Sequence, residues 1–217
     1  MIYQVYNEPK FAQYIRMYKT AWVSSPYGWP DQINAATSYL DLSVIYGSDL
    51  YVTDLLRSHY DGELLSDSYT GMPDLIIQVP QQGDRNQGYP SGDERSNENP
   101  GLASVVGLWI LHHNLLAKEV KKIFPLLDDE RLFQEARRRN IAYYQHIVYD
   151  ELMPQELGLD LGPYQGYNPK TDATTSNEYS SVAGRYYHSG LPSIYHTYNI
   201  DMSHHEMGYI DIDAYPQ

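Results

Sequence analysis

The 217-residue sequence contains no cysteine. No disulfide, iron–sulfur cluster or thiolate zinc site can be built from it, although compartment stays open because secreted proteins can also lack disulfides. Positive charge is scarce: 15 Lys and Arg stand against 28 Asp and Glu, a formal net charge of −13. That balance argues against non-specific binding to nucleic acid or anionic membranes, and suits solubility or the attraction of cations such as calcium. Long apolar runs are missing as well. The strongest, "GLASVVGLWIL" (101–111), is interrupted by His112, His113 and Asn114, short of the ~20 residues of a membrane span. The opening "MIYQVYNEPKFAQYIRMYKT" lacks the apolar stretch of a secretory signal. Phenylalanine is nearly absent, with 3 Phe against 23 Tyr. Tyrosine then fills half-buried aromatic positions with its hydroxyl reaching water or a partner, and a redox role is the second reading.

What remains suits one globular domain or a large piece of one, able to bury roughly 70% of its unfolded surface. Helix dominates the regular structure that can be read. Residues 1–30, broken by Pro9, Pro26 and Pro30, read as connecting structure. "QINAATSYLDLSVIYGSD" (32–49) reads as a short irregular or helical segment ended by Gly47, and "LYVTDLLRSH" (50–59) as a short helix. Residues 60–98 are rich in Gly, Pro, Asp, Asn and Ser, a long loop with one strand at "LIIQV" (75–79). Asn99 is a good N-cap and Pro100 a good first residue for a helix whose stripe runs Leu102, Val105, Val106, Trp109, Ile110, Leu116, Val120, Ile123, up to Pro125. A second helix spans 129–152, with Leu132, Phe133, Ala136, Ile141, Tyr144, Ile147, Val148 and Leu152 inward and Arg137, Arg138 and Arg139 on a solvated face. A Gly/Pro-rich linker leads to a helix from Ser176 or Asn177 to His188, and the tail after it shows no periodicity.

Four groups of residues could carry chemistry. Arg95 and Glu98 stand three apart ahead of Pro100, either as a weak surface ion pair or as side chains at a reaction centre. His188 lies near a helix end with Arg185 one turn earlier; imidazole is a common ligand of iron and zinc, yet a lone helical histidine is more often ordinary. "SHHE" (203–206) offers His204, His205 and Glu206 without zinc-like spacing. "TSYLDLS" (37–43) alternates oxygen donors at Thr37, the Tyr39 carbonyl, Asp41 and Ser43, as a hard cation such as Ca²⁺ requires. His112, His113 and His146 sit in the two long helices, where backbone groups can satisfy them.

Taken together, "QINAATSYLDLSVIYGSD", "GDERSNENPGLASVVGLWILHHNLLAKEV", "LFQEARRRNIAYYQHIVYDELMPQELG" and "SNEYSSVAGRYYHSGLP" resemble the animal haem peroxidases, in the family's order. The resemblance covers residues 32–192, and 11–22 looks like the piece before them. It implies a mainly α-helical fold with long loops and little strand. It implies an extracellular haem b enzyme that reduces hydrogen peroxide and oxidises a halide, thiocyanate or phenolic donor. By position, it makes Arg95 the distal arginine, Glu98 the possible ester link to haem, His188 the axial iron ligand and Arg185 the partner of a haem propionate. It makes Thr37, Tyr39, Asp41 and Ser43 calcium ligands. A fixed guanidinium suits the negative charge left on a departing peroxide oxygen, because it does not titrate.

The departures matter too. The family's distal His–Asp motif lies upstream of the segment matched by 11–22, and no histidine precedes His59 here. Asn99 stands where one subgroup has a sulfonium-forming methionine, and by the resemblance Tyr14 occupies one of the positions where the family has a cysteine. The family continues well past its proximal histidine, so residues 1–217 read as the middle of a peroxidase domain, with little turnover expected from the chain alone. The alternatives are a non-catalytic peroxidase-like adhesion or interaction module and an inactive fragment; the presence of Arg95, Glu98 and His188 weighs against the module. Donor identity and oligomeric state are not legible.

Overall fold

Asn99 and Asp128 start the two helices that organise the protein, each by accepting a backbone N–H into its side chain: Leu102 N to Asn99 Oδ1 at 2.9 Å and Arg131 N to Asp128 Oδ1 at 2.9 Å. The computed structural model describes residues 2–3, 15–16, 22–24, 28, 30–66, 90–97, 99–192, 194–198, 201 and 204–211. The expected strand at 75–79 lies outside them. The described residues are mainly helical, and the chain divides into two compact units, one of Met1–Ala35 with Thr175–Tyr186 and one of Ala36–Thr174 with Tyr187–Gln217.

The first unit contains two short antiparallel pairs, β1 (Ile2–Tyr3) with β2 (Ile15–Arg16) and β3 (Trp22–Ser24) with β4 (Pro30–Gln32). In the second unit, α1 (Ser43–Tyr46) and α2 (Leu50–Leu55) precede the helical hairpin of α3 (Pro100–Ile123) and α4 (Asp129–His146). Leu42, Ile45, Tyr46, Val52, Leu56, Leu64, Val106, Ile110 and Phe133 are buried together where these helices meet. Burying each such side chain is worth about 1.5–3 kcal/mol.

The expected stripes hold for Val106, Ile110, Leu116, Val120, Leu132, Phe133 and Ala136, but Val105 is 52% exposed and Ile123 60%. A 3.6-residue period marks a wide face, and only its centre meets α4 and α1. Ile147 and Leu152 are also exposed, for another reason. Beyond His146 the helix widens into a π turn, Ile147–Leu152, in which Met153 N–H reaches back five residues to the Val148 carbonyl. Widening keeps the Pro154 ring clear of the Asp150 carbonyl, so the helical path continues as α5 (Met153–Leu157), past the expected end at 152. The expected helix up to His188 is split: α6 (Asn177–Ser181, capped by Ser176) breaks at Val182, and Ala183–Gly190 is a 3-10 segment. The tail, expected to be irregular, pairs β5 (Ile194–Tyr198) with β6 (His204–Asp211) in an antiparallel ladder with an irregularity between His196 and Tyr198.

Several buried polar side chains in this core pair with one another. Nε2 of His113 donates to the Gly62 carbonyl at 2.9 Å, so its Nδ1 must accept, and the buried Tyr46 hydroxyl donates to it at 2.9 Å. Asn140 Nδ2 donates to the same hydroxyl oxygen at 3.0 Å, while Asn140 Oδ1 accepts from His112 Nδ1 at 2.7 Å. Gly62, at φ +73°, is a necessary glycine: a Cβ there would strike the Leu132–Phe133 backbone. Arg57 lies 4.3 Å over the Phe133 ring and pairs with Asp129 and Glu130 in the first turn of α4. Arg137, expected in solvent, instead covers the Tyr46 ring at 5.0 Å, whereas Arg138 is exposed as expected.

Burial holds the His113 imidazole down to about 4 from its ordinary 6.5. An unfolded chain takes up that proton near 6.5 and the folded one only near 4, so stability falls as pH drops through this window. The expected loss is about 3 kcal/mol in total. Thermal unfolding between pH 7 and pH 4 should show it, and His113→Gln should flatten that slope.

Candidate functional site

The segment ahead of α3 is a short 3-10 turn, Glu94–Asn97, and Asp93 organises it. Asp93 Oδ1 accepts the Arg95 backbone N–H at 2.9 Å, as an Asx turn does, and its carbonyl accepts Ser96 N at 3.1 Å and the Ser91 hydroxyl at 2.9 Å. The Arg95 side chain folds back on the same carboxylate, Nε to Oδ1 at 2.9 Å and Nη2 to Oδ2 at 2.6 Å. This hydrogen bonding holds the Asp93 carboxyl below the usual carboxylate range. Glu98, the partner anticipated for Arg95 in a surface ion pair, lies outside the described residues.

Gly92 fixes where this turn sits. A Cβ at Gly92 would collide with the Ser43 carbonyl oxygen and the Gly47 nitrogen, so the turn rests directly on the backbone of α1. Gly92→Ala should cost about 1–3 kcal/mol in chemical denaturation, because both colliding partners are backbone and cannot rotate away. Gly158→Ala, with open space around it, is not a matched control, since its φ is +63° and strain enters there.

The 37–43 segment leads into the same α1. Thr37 Oγ1 accepts Tyr39 N at 3.0 Å, and Asp41 Oδ1 accepts Ser43 N at 3.0 Å. Between Asp41 and Ser43, Leu42 is left-handed at φ 54°, which costs about 1–2 kcal/mol for a non-glycine residue. Its side chain is 3% exposed, and that burial offsets the strain. The segment supplies one carboxylate and three other oxygens, fewer than the six to eight of a calcium shell. Among the described residues no group of three or more His, Asp or Glu side chains forms a metal cradle.

His188 sits on the exposed 3-10 segment of Ala183–Gly190. Its imidazole makes no hydrogen bond or ion pair among the described residues, while its carbonyl accepts Leu191 N at 3.3 Å. The other helical histidines are committed: both nitrogens of His113, and Nδ1 of His112 and of His146, which bonds Asp150 at 2.6 Å. His113 is therefore the core histidine of α3, bonded to backbone as expected, while half-buried His112 and exposed His146 bond side chains and not backbone. Arg185 belongs to the other unit, where its Nε donates to the Ser180 carbonyl at 3.0 Å. For His204, His205 and Glu206 only the backbone of β6 is described.

Within the second unit, the chain after His188 returns to the helix start after Arg95. Tyr195 of β5 donates its hydroxyl to Asn99 Oδ1 at 3.2 Å, and its ring occupies the space a Cβ of Gly101 would need. Nothing in the residue pattern pointed to Tyr195 or Gly92, which act through partners that only folding supplies, whereas an Asp two residues before Arg95 is a local turn signal that could have been read. The donor set fits a haem, with one accessible, uncommitted imidazole and one guanidinium held in a defined plane.

A family model, animal haem peroxidase, matches residues 3–214. Peroxinectin A of Dictyostelium discoideum is 38% identical over 167 residues, covering 73% of this chain and 31% of its own. A peroxidase of Drosophila melanogaster is 34% identical over 183 residues, covering 76% and 26%. Among solved structures, peroxidase A from Dictyostelium discoideum superposes with a TM-score of 0.70 at 32% identity, over 88% of this chain and 38% of that one. The chain spans about a third or less of the length of these curated relatives. No helix among the described residues is long and apolar enough to cross a membrane. With a family model matched along almost its whole length, the chain belongs to the animal haem peroxidase family.

Proposed function

We propose that the protein is part of a haem peroxidase that reduces hydrogen peroxide to water while oxidising a small donor: a halide, thiocyanate or a phenol. For a phenol the balance is one peroxide and two donors giving two waters and two phenoxyl radicals. Haem b, when bound, supplies the redox iron that takes the oxidising equivalents. His188 would bind it through a ring nitrogen, and the observation that carries the reading is the accessibility of that imidazole, which has no hydrogen bond among the described residues, whereas His113 spends both ring nitrogens in the core. Arg95 offers a charge that does not titrate, and so steadies a developing anion on a peroxide oxygen at any working pH. Glu98, by its position in the family's motif, is the carboxylate that would form an ester link to haem. Thr37, the Tyr39 carbonyl, Asp41 and Ser43 would form one side of a calcium shell, supported by their alternating oxygens leading into α1. An extracellular location belongs to the same reading.

Titration with haemin tests it. The expected result is a saturable Soret band of histidine-ligated type at one haem per chain, followed by a shift of that band on mixing with hydrogen peroxide. A spectrum no different from free haemin at every ratio would overturn the reading for this chain.

A further inference from the structure

We propose that Asp93 is a positioning residue for Arg95: its carboxylate holds the guanidinium plane in the orientation that meets peroxide. The inference rests on the reading of Arg95 as the peroxide-site arginine.

Three bonds run from Arg95 to one carboxylate, through the backbone N–H, Nε and Nη2, at 2.9, 2.9 and 2.6 Å. The guanidinium edge and the main chain of the same residue are thus tied to one group. The Arg95 side chain is 68% exposed, so packing does little to fix its rotamer and hydrogen bonds set the guanidinium plane. The Asp93 side chain is only 20% exposed, and its own backbone is anchored by the bonds from Ser91 and Ser96. Gly92, seated on the Ser43–Gly47 backbone, extends the support to α1. The chain of support is therefore α1, Gly92, Asp93, Arg95.

A local, largely exposed ion pair adds little to global stability. Its geometric effect is a different matter, because displacement of a reacting group by an ångström can cost about 100-fold in rate. Removing the carboxylate should then separate rate from stability. In a merely structural role the two would fall together.

In the haem-loaded protein, Asp93→Asn should slow the peroxide-driven Soret change by about 10- to 100-fold, with haem spectrum and melting temperature close to those of the unsubstituted protein. Methylguanidinium supplies the sharper readout. It should restore the peroxide reaction of Arg95→Ala, where Asp93 can still grip it, and fail to restore the Asp93→Asn, Arg95→Ala double variant. In the full chain without haem, the Arg95 Nε–H resonance should exchange slowly with water and lose that protection in Asp93→Asn. A full-rate Asp93→Asn, or equal rescue of single and double variants, overturns the proposal. An unchanged peroxide reaction in Arg95→Ala removes the underlying reading of Arg95 instead, and the two failures are told apart by which variant shows them.

Discussion

Replacing His188 by alanine should abolish the histidine-type Soret spectrum after haemin titration, while the helical circular dichroism of the protein stays intact. The two halves of that expectation have separate causes. The first follows from ligand supply: His113 spends both ring nitrogens on Tyr46 and Gly62, and His112 and His146 each spend Nδ1 on a neighbour. His113 cannot replace a lost axial ligand without breaking a buried hydrogen bond, at a cost of about 1–3 kcal/mol, whereas His112 and His146 sit on α3 and α4 with Nδ1 tied to Asn140 and Asp150, which fixes each ring where its own helix places it. The second follows from placement. His188 stands on an exposed 3-10 segment with no buried residues, so truncating it removes little packing. His188→Ala with an undiminished histidine-type spectrum would exclude it as the ligand.

Arg95→Ala should leave haem bound and slow the peroxide-driven spectral change by 100- to 1,000-fold, the usual effect of removing one preorganised charge or donor from a reacting oxyanion. Arg95→Lys should recover only part of the rate. A lysine carries the charge but not the planar fork that matches the Asp93 carboxylate, so its position is not fixed in the same way. Stopped-flow mixing with hydrogen peroxide measures both variants. Equal rates in Arg95→Ala and the unsubstituted protein would refute the role.

Much of this architecture is legible before folding is considered. The start of α3 at Asn99–Pro100 and its end before Pro125 follow from capping and proline chemistry, which act over three or four residues. The inward positions Val106, Ile110, Leu116 and Val120 follow from the helical period. The outer positions of that period, Val105 and Ile123, were not decidable in this way, because periodicity marks a face without saying how much of it a neighbour covers. The β5–β6 hairpin escaped notice for a related reason. "DMSHHEMGYIDID" lacks a clear apolar alternation, and a ladder is a pairing between segments that no single segment announces. The π turn needed both the Pro154 signal and the decision of the chain to continue past it.

The candidate site divides along the same line. Arg95, Glu98, His188 and the 37–43 segment stand out as residue types at family positions, a property of the sequence alone. Their surroundings do not. That Gly92 must lack a Cβ and that Tyr195 returns to Asn99 across 96 positions depend on distances set by the packed helices, whereas the grip of Asp93 on Arg95 is a turn contact two residues long. The sequence by itself determined a helical member of a haem peroxidase family, its two long helices and their caps, since these rest on local chemistry and on residue order. Tertiary structure alone decided that His113 is committed to the core and that the turn before α3 rests on the backbone of α1. Hydrogen-bond partners far apart in the chain become neighbours only when the apolar surfaces between them are buried.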